Sequence, residues 1–471
     1  MSNLESRAPK SKLPLVGGIA AILLIALLAG GLYLAPRFER QAPVITLTPD
    51  SDVVGRAPIE IGVTDRGAGL KSVTATLSAG GKDHPIAAET FTGTLLEKRI
   101  SIEVAKLAGI KEGPAVLRVS ARDGSLWKWF GGNETVVQRE FTIDITPPTL
   151  QLVAEDRYIS FGGAGAIVYK TSADAATSGV KVGEHFFPGH KGQAKGQPDH
   201  YIALFAHPYS APANAKAVLV ATDKAGNTKE MGLAYELKGV KYRKSTLNIP
   251  ESFIENKVAP LLSGGAAREG GAKETFLAVN NRLRKENDAK IEAITKKATP
   301  ALQWQGAFVQ LSNSKVEANF ADERTYVYNG EAIDKAFHLG YDLSVTKRYP
   351  VEAANAGTVV FAGDLGIYGN TVILDHGLGL FTLYSHLSSI DVKDGDALEK
   401  RQVLGRTGET GLAAGDHLHY GVYLHGVAVL PVEWWDPKWI KDNIEPKLAG
   451  MSGDEIAEMQ QPKRAGQKRR R

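Results

Sequence analysis

Five residues in the last third of this chain have side chains that bind metal ions and move protons. They are His338, Asp342, His386, His417 and His419, in the segments HLGYD, YSHLS and HLHYG. On an extended strand, residues two apart point to the same face, so HLHYG can present both of its imidazoles to one site. Residues four apart, as in HLGYD, share one side of either a strand or a helix. The spacing therefore indicates a single clustered site but leaves the element that carries HLGYD open.

Strand and turn signals surround these motifs and favour a sheet. The segment LSVTKRYPVEAANAGTVVFAG, which follows Asp342, contains Pro350, several β-branched residues and turn glycines. Alternation at 371–374, a turn at 377–379 and a second strand at 381–384 predict a β-hairpin that delivers His386. We therefore expect the histidine motifs to lie in a β-sheet. The alternative interpretation is a β-domain whose histidines are scattered and unrelated.

The stretch from about residue 308 to residue 437 resembles the lysostaphin-like (LytM-type) zinc metallopeptidases, which cut peptide bonds in bacterial peptidoglycan. Besides the histidine motifs, the shared segments are PVEAANAGTVVFAG, YGNTVILDHG and VLGRTGETGLAAGDHLH. One departure lies upstream, where many relatives have a phenylalanine-glycine pair and this chain reads NFADER. The departure concerns the shape of that turn and leaves the metal site intact.

The resemblance implies a role for each of the five residues. The expected ligands of one zinc ion per chain are His338, Asp342 and His419, and the expected catalytic residues are His386 and His417. Relatives often place a basic residue near the substrate groove. This makes Arg324 a substrate-binding candidate, because a guanidinium group can pair with a peptide carboxylate.

The chemistry of this donor set agrees with the resemblance. Two imidazoles and one carboxylate leave a fourth zinc position open, as in catalytic sites. Zinc lowers the pKa of bound water to about 7 and polarises a carbonyl group. One neighbouring histidine can take the proton of the water, and a second, when protonated, can stabilise the oxyanion. The sequence leaves open which histidine does which, and because it has no HExxH motif, histidine must replace the glutamate base.

Four further residues near the motifs are weaker candidates. His376 lies at a predicted hairpin turn and is expected to be a turn residue or to line the groove, and His425 is expected to be a turn residue. Asp416, beside the HxH motif, either orients an imidazole or is solvated, and Tyr384 lies beside the site or in the core.

Length, charge and cysteine content limit the possible functions. A chain of 471 residues predicts about three domains. The formal net charge is +4, but the final segment KRAGQKRRR holds six basic residues, and subtracting them leaves −2. The folded body is therefore not expected to bind nucleic acid or other polyanions. The chain has no cysteine, which excludes disulfides and thiolate metal sites.

An uncharged stretch near the start predicts a membrane anchor. Residues 13–35 contain LPLVGGIAAILLIALLAGGLYL, and the preceding residues Arg7, Lys10 and Lys12 are basic. A stretch of this length can span a bilayer, and the basic flank keeps residues 1–12 in the cytoplasm. We expect a single-pass inner-membrane protein with its bulk in the periplasm; a cleaved signal peptide is the alternative. The tail at 446–471 is expected to be disordered, or alternatively to contact anionic wall polymer or lipid.

Short alternating segments follow the anchor. IEIGV, SVTATL, ISIEV, VLRVSA and FTIDI predict strands, and PPTLQL restarts the pattern of PVITL. Two immunoglobulin-like β-sandwich domains are therefore predicted at 41–146 and 147–247. Helical spacing then predicts a linker at 248–300. The linker either packs on its neighbours as an α-hairpin or covers the catalytic groove.

The predicted protein is mainly β with a helical insert and ends in an antiparallel β peptidase domain at 301–445. Its expected function is a membrane-anchored zinc endopeptidase acting on peptide cross-links of peptidoglycan. The alternatives are a non-catalytic module that binds the wall and activates other hydrolases, and a structural zinc site in an adhesion protein. The amino-terminal anchor favours a D-alanyl to diaminopimelate bond over a glycine-rich bridge.

Overall fold

The computed structural model of the protein describes residues 13–262 and 271–460. It divides into two compact units, the first formed by Met1–Pro147 with Asp223–Asn227 and the second by Pro148–Thr222 with Thr228–Arg471. Three predicted features lie outside the described residues. They are the cytoplasmic segment at 1–12, residues 263–270 of the predicted linker and the end of the basic tail at 461–471.

The first unit contains two sheets after an amino-terminal helix. Helix α1 covers Leu13–Leu34 and a 3-10 turn covers Ala35–Phe38. The strands are β1 (Val44–Thr48), β2 (Val53–Val54), β3 (Ile59–Thr64), β4 (Leu70–Ala79), β5 (Lys82–Leu95), β6 (Glu97–Ile102), β7 (Gly113–Asp123) and β8 (Glu134–Ile143), with a 3-10 turn at Val104–Lys106 and the four-residue segment α2 (Trp127–Phe130).

Alternating side chains explain how these strands form a core. In β3, Ile59, Ile61 and Val63 are buried while their neighbours face outward. The sheets β1-β3-β6 and β2-β8-β7-β4-β5 contribute to one hydrophobic core. All five strand segments predicted here lie in or overlap observed strands. Among the residues whose side chains the structure describes, which in α1 are Gly18 and 21–33, no helix is long and apolar enough to cross a membrane.

The second unit begins with more short strands. They are β9 (Leu150–Ala154), β10 (Tyr158–Ser160), β11 (Ala164–Thr171), β12 (Ala175–Val182), β13 (His185–Pro188), β14 (His190–Lys191), β15 (Tyr201–Ala206), β16 (Ala217–Asp223), β17 (Thr228–Gly232), β18 (Glu236–Lys238) and β19 (Lys244–Asn248). Two four-stranded sheets have the orders β14-β15-β11-β9 and β13-β12-β16-β17, and β10 pairs with β18.

Helices follow in the region predicted as a linker. They are α3 (Glu251–Phe253), continued by a π turn (Ile254–Val258) and a 3-10 turn (Ala259–Leu261), then α4 (Ala272–Leu277), a π turn (Ala278–Leu283) and α5 (Arg284–Thr295). Phe276, Val279 and Ile291 recur at helical spacing and are buried. They share a core with Ile373 and Phe381 from two later strands. The helices therefore pack against the sheet that carries the histidine motifs.

The remaining chain is again mainly β, which confirms the predicted fold class at this level. The strands are β20 (Lys315–Ala318), β21 (Asp322–Tyr328), β22 (Glu331–His338), β23 (Tyr341–Ser344), β24 (Pro350–Glu352), β25 (Gly357–Asp364), β26 (Asn370–Asp375), β27 (Leu380–Leu387), β28 (Ser389–Ile390), β29 (Ala397–Leu398), β30 (Val403–Arg406), β31 (Leu418–Leu424) and β32 (Val427–Val429). The last helices are α6 (Pro431–Trp435), α7 (Pro437–Trp439), α8 (Glu445–Leu448) and α9 (Gly453–Gln460), with 3-10 and π turns at Gly366–Tyr368 and Ile440–Ile444.

One large sheet carries the site. Its order is β20-β23-β31-β27-β26-β25-β29, and β32 pairs with β31. Smaller sheets have the orders β19-β21-β22 and β24-β30-β28. Strand β19, except for its last residue Asn248, lies in the range predicted for the second immunoglobulin-like domain but pairs in parallel with β21.

Candidate metal centre

Strand register brings two of the predicted ligands together. In the antiparallel pair β23–β31, Asp342 lies directly opposite His419, so both side chains emerge on one face. His338 is the last residue of β22, and the chain turns through Gly340 into β23. A Cβ atom at Gly340 would lie 2.5 Å from the carbonyl oxygen of Tyr420 and 2.7 Å from Cε1 of His419. Only glycine therefore fits at this turn without displacing the His419 ring.

Three potential ligand atoms converge at this point. His338 Nε2 lies 2.9 Å from Asp342 Oδ1 and 2.9 Å from His419 Nδ1, and His419 Nδ1 lies 3.0 Å from Asp342 Oδ1. The two histidines are 6% and 4% exposed. The structure thus places the three predicted metal ligands in one buried cluster.

Hydrogen bonds from the rings show which nitrogens are free to bind a cation. His338 Nδ1 donates to the carbonyl oxygen of Asn319 at 2.9 Å, so its Nε2 carries a lone pair that faces the cluster. His419 has the opposite orientation, with Nδ1 in the cluster. Two nitrogen lone pairs and a carboxylate oxygen within 3.0 Å repel one another unless a proton or cation lies among them. This N₂O donor set fits a divalent metal with an open position.

The two predicted catalytic histidines lie beside this cluster. The ring centres of His386 and His417 are 4.8 Å apart. His386 Nδ1 donates to the carbonyl oxygen of Thr410 at 2.8 Å, and His417 Nδ1 donates to that of Gly415 at 2.8 Å. The His386 ring therefore keeps Nε2 available for proton transfer, whereas His417 Nε2 lies 3.5 Å from Asp342 Oδ1. His386 also has a backbone φ of +62°, a strained conformation of the kind found at functional sites.

Electrostatics separate these two histidines. Burial holds the pKa of His386 well below its ordinary value, and the nearby His417 and His419 lower it further. Burial also opposes protonation of His417, but hydrogen bonding and attraction to Asp342 raise its pKa above the ordinary value. Burial opposes ionisation of Asp342, yet the interactions with the surrounding histidines hold its pKa well below the usual range. Two histidines with opposite pKa shifts are suited to act as a base and an acid.

A cavity of about 670 Å³ opens beside the cluster. Its walls include β19 and the helical region, which contributes Phe253, Phe276 and Arg284. Arg324, the predicted substrate-binding residue, also lines it, but its Nη2 donates to Asp342 Oδ2 at 2.9 Å. The structure therefore places Arg324 against a predicted metal ligand.

Sequence reasoning missed a tyrosine in the cavity wall. The Tyr368 ring lies 5.7 Å from the His419 ring, and its hydroxyl donates to Asp288 Oδ1 on α5 at 2.8 Å. Asn287 Oδ1 accepts the backbone N–H of Ile367 at 2.9 Å. The motif YGN was visible in the sequence, but Asp288 lies 80 residues upstream and carries no local signal.

The weaker candidates have other partners. His376 is buried between the carbonyl oxygen of Ala356 and the Thr382 hydroxyl, each at 2.7 Å, and burial lowers its pKa to about 4. His425 makes a ring contact, Asp416 makes a side-chain hydrogen bond, and Tyr384 makes a hydrogen bond to the backbone. None of the four residues lines the cavity beside the metal cluster.

Comparison with known families bears directly on this site. The model of peptidase family M23 matches residues 336–431, a range that contains the three residues of the cluster and the two histidines beside it. This stretch is an M23 peptidase domain. The resemblance to lysostaphin-like peptidases is therefore confirmed.

Curated relatives match mainly in the same region. The DD-carboxypeptidase/endopeptidase Mpg of Neisseria meningitidis is 39% identical over 95 residues, which cover 20% of this chain and 22% of that protein. The peptidoglycan DD-endopeptidase ShyA of Vibrio cholerae is 33% identical over 115 residues, covering 24% and 26%. The chain thus matches about a quarter or less of the length of either relative. The catalytic domain of lysostaphin from Staphylococcus simulans is 26% identical with a TM-score of 0.24, covering 28% of this chain and 98% of that domain.

Proposed function

We propose that the M23 domain is a zinc metalloendopeptidase that hydrolyses peptide cross-links of bacterial peptidoglycan. The observation that carries this proposal is the convergence of His338 Nε2, Asp342 Oδ1 and His419 Nδ1 beside two histidines whose Nδ1 atoms donate to backbone carbonyl oxygens. The family match and the two peptidoglycan-acting relatives support the choice of substrate.

The five residues of the site would have two roles, zinc binding and proton transfer. His338, Asp342 and His419 would hold one zinc ion, which would supply Lewis-acid activation of the scissile carbonyl and of a water molecule. One of His386 and His417 accepts the proton of the attacking water at Nε2, and the other, protonated at Nε2, stabilises the oxyanion. Asn319, Thr410 and Gly415 fix three of these rings through their carbonyl oxygens.

A muropeptide assay tests this proposal. The zinc-loaded chain is incubated with purified peptidoglycan, and released fragments are identified by mass spectrometry. We expect cleavage of the D-alanyl to diaminopimelate bond. His417→Ala should keep one zinc per chain but lose 10²–10⁴-fold in rate, the range for a general acid or base. His338→Ala should lose both metal and activity, whereas His185→Ala, at an exposed histidine that does not line the cavity, should behave as wild type.

Equal fragment release by wild type and His417→Ala would remove the catalytic claim. Binding to peptidoglycan without release by wild type would instead support the alternative, a non-catalytic module that activates other hydrolases. Retention of all five positions is the observation against that alternative.

We also propose that α1 anchors the chain in the inner membrane with its bulk in the periplasm. Its 22 residues carry no charge, and their length as a helix is about 33 Å, close to the thickness of the hydrocarbon core. Between Ile22 and Tyr33, eight large side chains are 59–73% exposed. Apolar side chains exposed all round a helix require an apolar environment. Extraction of the full chain from membranes by carbonate alone would refute the anchor.

A repeated hydrogen-bond pattern supports two immunoglobulin-like domains as spacers between anchor and peptidase. Asp123 accepts both the backbone N–H of Asn133 at 2.7 Å and its side-chain amide at 2.8 Å. Asp223 accepts both groups of Asn227 at 2.9 Å. Both aspartates end the strand that the sequence repeat predicts to be equivalent, β7 and β16. Lengthening the spacer without altering the cavity should then change cleavage of intact sacculi but leave cleavage of soluble muropeptides unchanged.

A further inference from the structure

A strained turn in the first unit holds a tryptophan out in solvent. Trp129 in α2 is 95% exposed, more than any other large apolar side chain in the described ranges. Lys128 and Trp129 have φ values of +53° and +57°, so α2 is a left-handed turn and not a regular helix. This conformation is unfavourable for every residue except glycine. Two such residues in succession persist only where the surrounding structure holds them, as at functional sites.

Hydrogen bonds on both sides hold this turn in place. Gly131 donates to the carbonyl oxygen of Lys128 at 3.1 Å, and Gly132 donates to that of Trp127 at 3.2 Å. The Trp127 N–H donates to Ser125 Oγ at 3.1 Å. The exposed Trp129 thus projects from a fixed backbone, and its display is a property of the fold.

The turn is attached to the chain where α1 ends. The Leu126 N–H donates to the carbonyl oxygen of Arg37 at 2.5 Å, and the Ser125 hydroxyl contacts the carbonyl oxygens of Arg37 and Glu39 at 3.2 Å and 2.8 Å. Arg37 follows α1 closely and donates to the Tyr33 hydroxyl inside α1 at 3.4 Å. The aromatic turn therefore lies within a few residues of the end of the apolar helix.

Basic and aromatic side chains belong to this turn and to the segment that follows α1. Lys128, Arg37 and Arg40 are exposed, and the Arg40 guanidinium lies 4.2 Å from the centre of the Trp127 ring. Tryptophan is enriched at the boundary between lipid headgroups and acyl chains, because its apolar ring can contact the acyl chains while its N–H group stays hydrated. Lys and Arg near such a surface bind anionic headgroups. Trp129 with these three basic residues has the chemistry of a membrane-interface contact.

We propose that the segment at 126–131 docks onto the anionic phospholipid surface of the bilayer that α1 enters. This inference rests on the proposed anchor. Trp129 inserts about 5–10 Å into the headgroup and acyl boundary, while Lys128 and Arg37 pair with headgroup phosphates. Docking holds the first unit against the membrane surface, where otherwise it would be joined to α1 only through the turn Ala35–Phe38.

Spin labelling of the full chain tests the docking, and the absence of native cysteine makes it specific. Lys128→Cys carries a nitroxide in nanodiscs of phosphatidylethanolamine and phosphatidylglycerol. Relaxation by dissolved oxygen is compared with relaxation by a water-soluble nickel chelate. Lys82→Cys is the control, because Lys82 is exposed and pairs with Ala79, the end of strand β4 that lies about 30 Å from Leu70. We expect the label at 128 to be accessible to oxygen and protected from nickel, and the label at 82 to show the reverse.

A label at Leu27→Cys, inside α1, separates this inference from the proposed anchor. If the label at 27 is in lipid and the label at 128 is fully accessible to nickel, docking is refuted and the anchor stands. If both are aqueous, anchor and docking fall together, while the muropeptide assay still decides the peptidase activity independently. Protection at 128 that appears only after sacculi are added would overturn the lipid assignment in favour of the cell wall. Trp129→Ser should return the label at 128 toward water, and an unchanged depth would likewise contradict the role of the ring.

Discussion

A buried carboxyl group beside the peptidase domain should make the stability of the second unit depend on pH. Glu433 in α6 is 6% exposed, and its Oε2 accepts the backbone N–H of Ala164 at 2.8 Å. Burial raises the pKa of Glu433 from 4.5 to about 7, although the contacts with Ala164 and Ser160 oppose the rise. The carboxyl is therefore protonated in the folded chain over a range in which it is ionised in the unfolded chain.

The size and sign of the effect follow from this difference. Each unit between the pKa values of Glu433 in the folded and unfolded chain changes the free energy of unfolding by about 1.36 kcal/mol. The difference between 4.5 and about 7 therefore corresponds to about 3 kcal/mol. Below pH 4.5 both states carry the proton and Glu433 imposes no penalty. Between pH 4.5 and about 7 the unfolded state loses its proton first, and the folded state loses stability as pH rises. Above that range the penalty is constant.

The variant Glu433→Gln removes the titration and keeps an oxygen for the Ala164 N–H. We expect it to gain about 3 kcal/mol relative to wild type between pH 4.5 and pH 8, measured by urea unfolding followed through tryptophan fluorescence. Trp434 and Trp435 lie beside the site and report on it. Glu445→Gln, at an exposed carboxyl on α8, is the matched control and should run parallel to wild type. Parallel curves for wild type and Glu433→Gln would refute the reasoning.

Three further outcomes follow from the site. Arg324→Gln removes the 2.9 Å contact with Asp342 and should weaken zinc binding about 10–100-fold in a chelator competition. Lys335→Gln, at an exposed residue of β22, is the control and should leave the zinc affinity unchanged. Equal zinc affinities of Arg324→Gln and wild type would contradict a role of the Arg324–Asp342 contact in metal binding. Asp288→Ala leaves the Tyr368 hydroxyl without its acceptor, which costs about 1–3 kcal/mol. It should raise KM for muropeptides more than it lowers kcat, and an unchanged KM would contradict a role of Tyr368 in the cavity wall. Chelation should abolish hydrolysis reversibly, and zinc at 100 times its Kd should add about 2.7 kcal/mol of stability in calorimetry; an unshifted Tm would exclude binding to the folded state.

Much of the architecture was predictable because strand formation depends on local periodicity. The alternation in IEIGV recurs as the burial of Ile59, Ile61 and Val63 in β3. Apolar spacing likewise predicted the helices that bury Phe276 and Ile291. Partner choice is not local: β19 follows the strands of the preceding sheets but pairs in parallel with β21. Backbone hydrogen bonds to a strand distant in sequence leave no signal in the spacing of side chains.

For the site, the sequence alone determined the residue types, the common face of the HxH pair and the family of the domain. The tertiary structure decided how these residues meet. The register of β23 against β31 sets Asp342 opposite His419, and carbonyl groups from distant turns fix which ring nitrogens face the cluster. Arg324 could not be placed against Asp342 from its own segment, nor could Tyr368 be linked to Asp288. Residue chemistry is local and can be read along the chain, whereas distance, burial and pKa arise only when packing brings remote segments together.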